Sequence, residues 1–155
     1  MTTIILIADH DRGLAQALDR SLRTRGFEVA TAHNALECIY ELRDNCPDVL
    51  ILDPCILWGG GAGVLQLLND EEPVKRPTVI YLESPGNPSV PEHLQSRIDE
   101  RIQRPQCLSE LMPCVESLVD LIRSHIPAAS IPEAVDTAKG TAPTSFAVDR
   151  QYLNQ

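Results

Sequence analysis

Two apolar runs in this chain end abruptly on a carboxylate, and those two acids are the residues best placed to do chemistry. The stretch Asp48-Val49-Leu50-Ile51-Leu52-Asp53-Pro54 is apolar and rich in β-branched residues up to Asp53. Such a run reads as a strand buried on both faces, as in a parallel sheet covered by helices. Pro54 donates nothing to a ladder and holds Asp53 extended, so the strand should stop there. Asp53 then stands at the carboxyl end of a central strand, where open α/β sheets carry their chemistry. The alternative reading is that Asp53 only caps the next turn. Ile4-Ile5-Leu6-Ile7-Ala8 ends in the same way on Asp9-His10-Asp11, Pro77-Thr78-Val79-Ile80-Tyr81-Leu82 ends on Glu83-Ser84, and a weaker run, Arg101-Ile102-Gln103, precedes Arg104-Pro105.

Other chemistries find less support. The loop Pro54-Cys55-Ile56-Leu57-Trp58-Gly59-Gly60-Gly61-Ala62-Gly63 is crowded with glycine, but it holds neither the Gly-Lys-Ser/Thr of a phosphate loop nor GxGxxG spacing. No nucleophile elbow marks a hydrolase, and an enzyme is not expected. His10, His33, His93 and His125 are scattered and read as surface or loop histidines. The five cysteines (Cys38, Cys46, Cys55, Cys107 and Cys114) lack zinc-type spacing and fit reduced thiols of a cytoplasmic protein. A net charge of -9 argues against phosphate-backbone binding as the main task. No window is apolar for long enough to span a bilayer, and the N-terminus has no signal-peptide layout.

The elements that must position the acids follow from periodicity. The chain has 155 residues, which suits one domain, and with 43% hydrophobic and only 4% aromatic residues its core should be built from Leu, Ile and Val. Leu14, Ala15, Ala17, Leu18 and Leu22 recur at helical spacing over 12–25, with Gly26 as the stop. Phe27-Glu28-Val29-Ala30-Thr31 alternates as a short strand. Asn34 is placed to cap a helix carrying Ala35, Cys38, Ile39 and Leu42. A short helix is expected over 64–69. Pro85, Pro88 and Pro91 break up the region where a fourth helix would fall and leave only 92–98 able to turn. The last helix carries Leu108, Leu111, Met112, Val115, Leu118, Val119 and Ile122, with Ser109 as its cap and Pro113 in the first turn or just beyond it. Strands alternating with helices predict an α/β, doubly wound fold: a five-stranded parallel sheet with helices on both faces. Residues 1–127 should form this domain. Residues 128–155, rich in Ala, Pro, Thr and Ser, read as a disordered tail or linker, with Phe146, Val148, Tyr152 and Leu153 as a possible docking element or a frayed end.

Three strand ends together resemble the receiver domain of two-component response regulators: Ile-Leu-Ile-Ala-Asp9, Asp-Val-Leu-Ile-Leu-Asp53-Pro54 and Arg104-Pro105. The resemblance covers roughly residues 3–126. It implies a flavodoxin-like fold in which Asp53 accepts a phosphoryl group from a histidine kinase or phosphotransfer protein. It also implies that Asp9, Asp53 and the Cys55 backbone carbonyl hold Mg²⁺. The second metal-binding acid is replaced by His10, with Asp11 one residue late, so Mg²⁺ is expected to bind weakly or not at all. Arg104 stands where the family has a Lys before Pro, and Arg101 where it has a switch aromatic. The hydroxyl that ends strand four corresponds to Glu83, with Ser84 directly after it.

These departures open two alternatives. Asp9 and Asp53 side by side would repel without a cation, which Arg104 can supply. A Glu83 carboxylate about 5 Å from an incoming phosphoryl would cost roughly 3 kcal/mol at an effective dielectric of about 20. In one reading Glu83 pairs with Arg104, and the domain is a phosphorylation-independent pseudo-receiver held in one state as a protein-interaction module. In the other, Glu83 faces solvent, Ser84 supplies the hydroxyl through a one-residue shift, and Asp53 is phosphorylated in a single-domain phosphorelay protein. No output domain is expected after the tail, and no basic helix resembles a DNA reader. The chain is therefore expected to act on a target protein, through the 98–126 surface or the tail.

Overall fold

The structure, a computed structural model, describes residues 2–71 and 75–126. The expected boundary at 127, the tail and its docking element lie outside the described residues. Five strands, β1 (Ile4–Ala8), β2 (Glu28–Ala32), β3 (Val49–Leu52), β4 (Thr78–Glu83) and β5 (Glu100–Gln103), form one parallel sheet in the order β2-β1-β3-β4-β5. Helices α1 (Arg12–Arg23), α2 (Ala35–Asn45), α3 (Gly60–Asp70) and α4 (Leu111–His125) connect or follow them. The proline-broken segment forms only a 3₁₀ turn at Glu92–Arg97, as its three prolines require.

Strand alternation divides the core into two halves. Ile5, Ile7, Val49, Ile51, Ile80 and Leu82 pack on α1 and α4, through Leu18, Leu22, Val115 and Leu118. Leu6, Leu50, Leu52, Val79 and Tyr81 face α2 and α3, through Cys38, Leu42, Val64 and Leu65. Both faces of β3 are therefore covered, which is why its sequence is apolar without a break. Burial also raises the thiols of Cys38, to about 12, and Cys114, to about 11, and both remain neutral core residues.

Several boundaries differ from expectation. Helix α1 ends at Arg23 and a turn carries the chain to Gly26, whose φ of 93° demands glycine. Asn34 caps α2 as expected, its Oδ1 accepting from the Glu37 N–H at 2.8 Å. Ser109 does not cap the last helix. Its hydroxyl lies 3.1 Å from Cys107 Sγ within a 3₁₀ turn, Leu108–Glu110, and α4 begins only at Leu111, with Pro113 inside the first turn.

The larger correction is α3, which starts at Gly60 rather than at Val64. The glycines are part of the helix because its first turn lies against β3 and β4. A Cβ on Gly61 would stand 2.7 Å from the Tyr81 hydroxyl and 3.0 Å from Pro54 Cα. Tyr81 is buried at 3% exposure and cannot swing out freely. Gly61→Ala is therefore expected to destabilise the domain by about 1–3 kcal/mol through overpacking. Urea unfolding checks this, and an unchanged midpoint would contradict the packing reason for the glycine.

Candidate functional site

Strand register brings Asp9 and Asp53 together. Ala8 pairs with Leu52, and the Asp53 N–H donates to the Ala8 carbonyl at 2.9 Å, so the two acids leave adjacent strands at one level. Each follows the alternation of its strand (Ile5, Ile7, Asp9 and Val49, Ile51, Asp53) and so lies on the α1/α4 side. Both are deeply buried, at 0% and 2% exposure. Arg104, following Ile102 by two, reaches the same side from the end of β5.

Arg104 is the central cation. Its guanidinium grips Asp9 in a two-point fork, with both N–H···O bonds at 2.7 Å, and one nitrogen lies 3.5 Å from Asp53 Oδ1. Burial raises the Asp9 carboxyl above its ordinary value, the Asp53 charge adds to this, and the bonds from Arg104 and the Asp11 N–H oppose it. For Arg104, burial acts downward, but the bonds and charges of the acids outweigh it and hold the guanidinium charged.

Asp53 is engaged on both oxygens. Oδ1 accepts the Cys55 N–H at 2.9 Å, while Oδ2 accepts the His10 N–H at 3.1 Å and contacts the His10 ring Nδ1. His10 lies in the loop after β1, exposed as expected of a loop histidine, and from there both its N–H and its ring reach across to Asp53. Asp11, the late acid, is no substitute ligand. Its carboxylate caps α1 by accepting from the Leu14 N–H at 3.1 Å, and its own N–H bonds Asp9 Oδ1 at 2.8 Å. His33, in the loop between β2 and α2, places its Nδ1 3.1 Å from the Asp9 carbonyl oxygen.

The expected Glu83–Arg104 ion pair is not formed. Glu83 pairs with Arg101, which also donates to Gln95 Oε1 at 2.9 Å and lies over the Tyr81 ring, 5.8 Å from its centroid. Alternation is the reason: Glu83 follows Tyr81 by two and takes the α2/α3 side, opposite to Asp53 and Arg104. A state fixed by a Glu83 charge in the acid pocket is thereby overturned. The register Leu52–Tyr81 sets Leu82 level with Asp53, so an apolar side chain stands where a hydroxyl was sought. Ser84, next on that side, accepts from Gln106 Nε2 at 3.3 Å. Trp58, at 70% exposure, stands out from the glycine loop.

The order of the five strands, the helices on both faces and the acid pair at the strand ends define a signalling receiver domain. The sequence matches the family described as response regulator receiver domain over residues 5–116, and the chain belongs to that family. It is 30% identical over 118 residues to the transcriptional regulatory protein PrrA of Mycobacterium tuberculosis, covering 74% of this chain and 49% of that protein. It is 29% identical over 125 residues to the response regulator MprA of the same species, covering 77% and 51%. The chain thus spans about half the length of the curated relatives it matches. In fold it is similar to a CheY-like receiver domain from Methanospirillum hungatei, with a TM-score of 0.67 at 19% identity over 79% of this chain and 98% of that one. The response regulator domain of Thermotoga maritima CheB gives a TM-score of 0.66 at 19% identity, over 80% and 96%.

Receiver domains are signalling modules that interact with histidine kinases or phosphotransfer proteins and bind Mg²⁺ at an acidic pocket, and Asp9 and Asp53 form such a pair here. The donor set nevertheless fits Mg²⁺ poorly. Mg²⁺ takes oxygen ligands in octahedral geometry. Both lone pairs of Asp9 Oδ1 are already taken by Arg104 and the Asp11 N–H, and an imidazole replaces the second acid. Among the described residues no helix is long and apolar enough to cross a membrane.

Proposed function

We propose that this domain receives a phosphoryl group on Asp53, from a phosphohistidine of a kinase or phosphotransfer protein, and passes the signal on by contact with a target protein. The observation that carries this reading is a nearly buried carboxylate at the end of the central strand with a guanidinium 3.5 Å away. An Asp53 oxygen attacks phosphorus, the N–P bond breaks, and the imidazole leaves with the electron pair and then takes a proton. Arg104 offers N–H donors to the phosphoryl oxygens as charge develops. His10 must leave Oδ2 for that oxygen to act as the nucleophile. Glu83, held by Arg101 on the other side of the sheet, does not oppose the incoming charge. Mg²⁺ binds weakly or not at all in this reading, since Arg104 already serves Asp9. The protein works in the cytoplasm and catalyses no turnover of its own.

Intact mass after exposure to a small phosphodonor tests this. The chain should gain one phosphate, and Asp53→Asn should gain none. A gain that persists in Asp53→Asn would remove Asp53 as the acceptor. No gain in the parent chain would favour a pseudo-receiver.

A further inference from the structure

Among the described residues six large apolar side chains are exposed, and four of them lie close together: Leu36 and Tyr40 on α2, Leu57 and Trp58 in the loop after β3. The Ala35 N–H donates to the Leu57 carbonyl at 2.8 Å, which ties this loop to the first turn of α2, and Tyr40 stands one turn beyond Leu36. Trp58 has a φ of 64°, a conformation that bulky residues rarely adopt. The bond at Leu57, and another from the Gly60 N–H to the Ile56 carbonyl at 3.1 Å, hold it there with the indole exposed. Apolar patches of this kind mark interaction surfaces, in which Trp and Tyr carry much of the binding energy.

The chain itself holds a matching segment. It has only two Phe, three Tyr and one Trp. Phe27 and Tyr81 are core residues, and Tyr40 and Trp58 belong to the patch. The other two, Phe146 and Tyr152, fall with Val148 and Leu153 in residues 146–153, outside the described residues. We infer that residues 146–153 of the same chain dock on the patch formed by Leu36, Tyr40, Leu57 and Trp58. Helix α4 ends beside the amino end of β5, where His125 Nε2 lies 2.8 Å from Glu100 Oε2. From Ile126 to Phe146 the chain runs roughly 20 residues, up to about 65 Å when extended, enough to pass round a small domain about 30 Å across. A covalent tether of this length supplies an effective concentration of about 1 mM, so an intrinsic Kd of about 0.1 mM covers the patch in roughly nine molecules of ten. A second copy fits the patch less well. Glu37, Glu41 and Asp44 follow one flank of the Leu36–Tyr40 stripe at helical spacing, and a two-fold contact would bring the acids of both copies near each other. Residues 146–153 contain one acid and one base, Asp149 and Arg150, and bring no net charge. The inference holds whether or not Asp53 accepts a phosphoryl group.

Trp58 is the sole tryptophan, so its fluorescence in the full chain reads the docking directly. In the parent the indole should emit as a shielded ring and be quenched slowly by acrylamide at every protein concentration. Phe146→Ser, Tyr152→Ser and Leu153→Ser combined should move the emission to the red. Quenching should quicken by up to about tenfold, since roughly one parent molecule in ten exposes the ring. Leu36→Ser combined with Tyr40→Ser should act in the same direction. Both positions are exposed, so no core cavity opens, and far-ultraviolet circular dichroism checks the fold. The inference is overturned if Trp58 is freely quenched in the parent, which leaves the patch to a partner protein. It is equally overturned if the shielding falls on dilution, which assigns it to a second copy, or if either set of substitutions leaves the quenching unchanged.

Discussion

Replacing Arg104 by alanine should destabilise the domain by about 3–5 kcal/mol, the usual cost of leaving one partner of a buried ion pair without the other. Arg104 holds both Asp9 oxygens and approaches Asp53, and neither acid is exposed. In the variant, burial and the neighbouring Asp53 charge both act to raise the Asp9 carboxyl, opposed only by the Asp11 N–H. The sign of the pH dependence follows. A raised folded value means that the folded state holds its proton more tightly than the unfolded chain does. The Asp9 contribution is then fully favourable below its unfolded value of 3.8 and is lost as pH rises through the folded value. Arg104→Ala should thus lose more stability near neutral pH than near pH 4, measured as the urea midpoint across that range. Adding Asp9→Asn should recover part of the loss, since an amide needs no counter-charge. Additive losses in the double variant would mean that the fork is not the stabilising element.

Removing the His10 ring should accelerate phosphorylation of Asp53. The ring and the backbone N–H both occupy Oδ2, and the ring contact must break before that oxygen can attack. A hydrogen bond to a charged group is worth about 1.5–3 kcal/mol, so His10→Ala should raise the initial rate roughly 10- to 100-fold. The guanidinium 3.5 Å from Asp53 remains to meet the phosphoryl charge. Time-resolved intact mass with a small phosphodonor reads the rate directly. An unchanged or slower rate would mean that the ring assists the acceptor instead of covering it.

Arg101 now has a defined setting. In place of a switch aromatic there is a cation bound to Glu83, Gln95 and the Tyr81 face at once. These partners hold it on the α2/α3 side of the sheet, away from Asp53. The segment between β4 and β5, reduced to a 3₁₀ turn, leaves an open groove of about 430 Å³ lined by Tyr81, Glu83, Ser84, Asn87 and Arg101. Arg104, 3.5 Å from Asp53, leads into the Pro105–Gln106 loop, where the Gln106 amide joins the Arg104 carbonyl and the Ser84 hydroxyl.

Much of this was written in the sequence. Unbroken apolar runs at β1, β3 and β4 mark strands buried on two faces, and the alternation of strand and helix leaves little choice but a parallel sheet. Asp53 and Asp9 are legible because each ends such a run. The partners of the charged groups are not legible, because they depend on which side of the sheet a side chain takes and on the relative level of strands distant in sequence. Counting along the chain sets Glu83 beside Arg104, but a shift of one residue turns a strand side chain to the opposite face. Only the register of β4 against β3 and β5 decides that Glu83 meets Arg101, that Leu82 stands level with Asp53, and that Arg104 belongs to Asp9. The same holds for His10: its residue type is plain, but its seat on Asp53 exists only once β1 and β3 lie side by side.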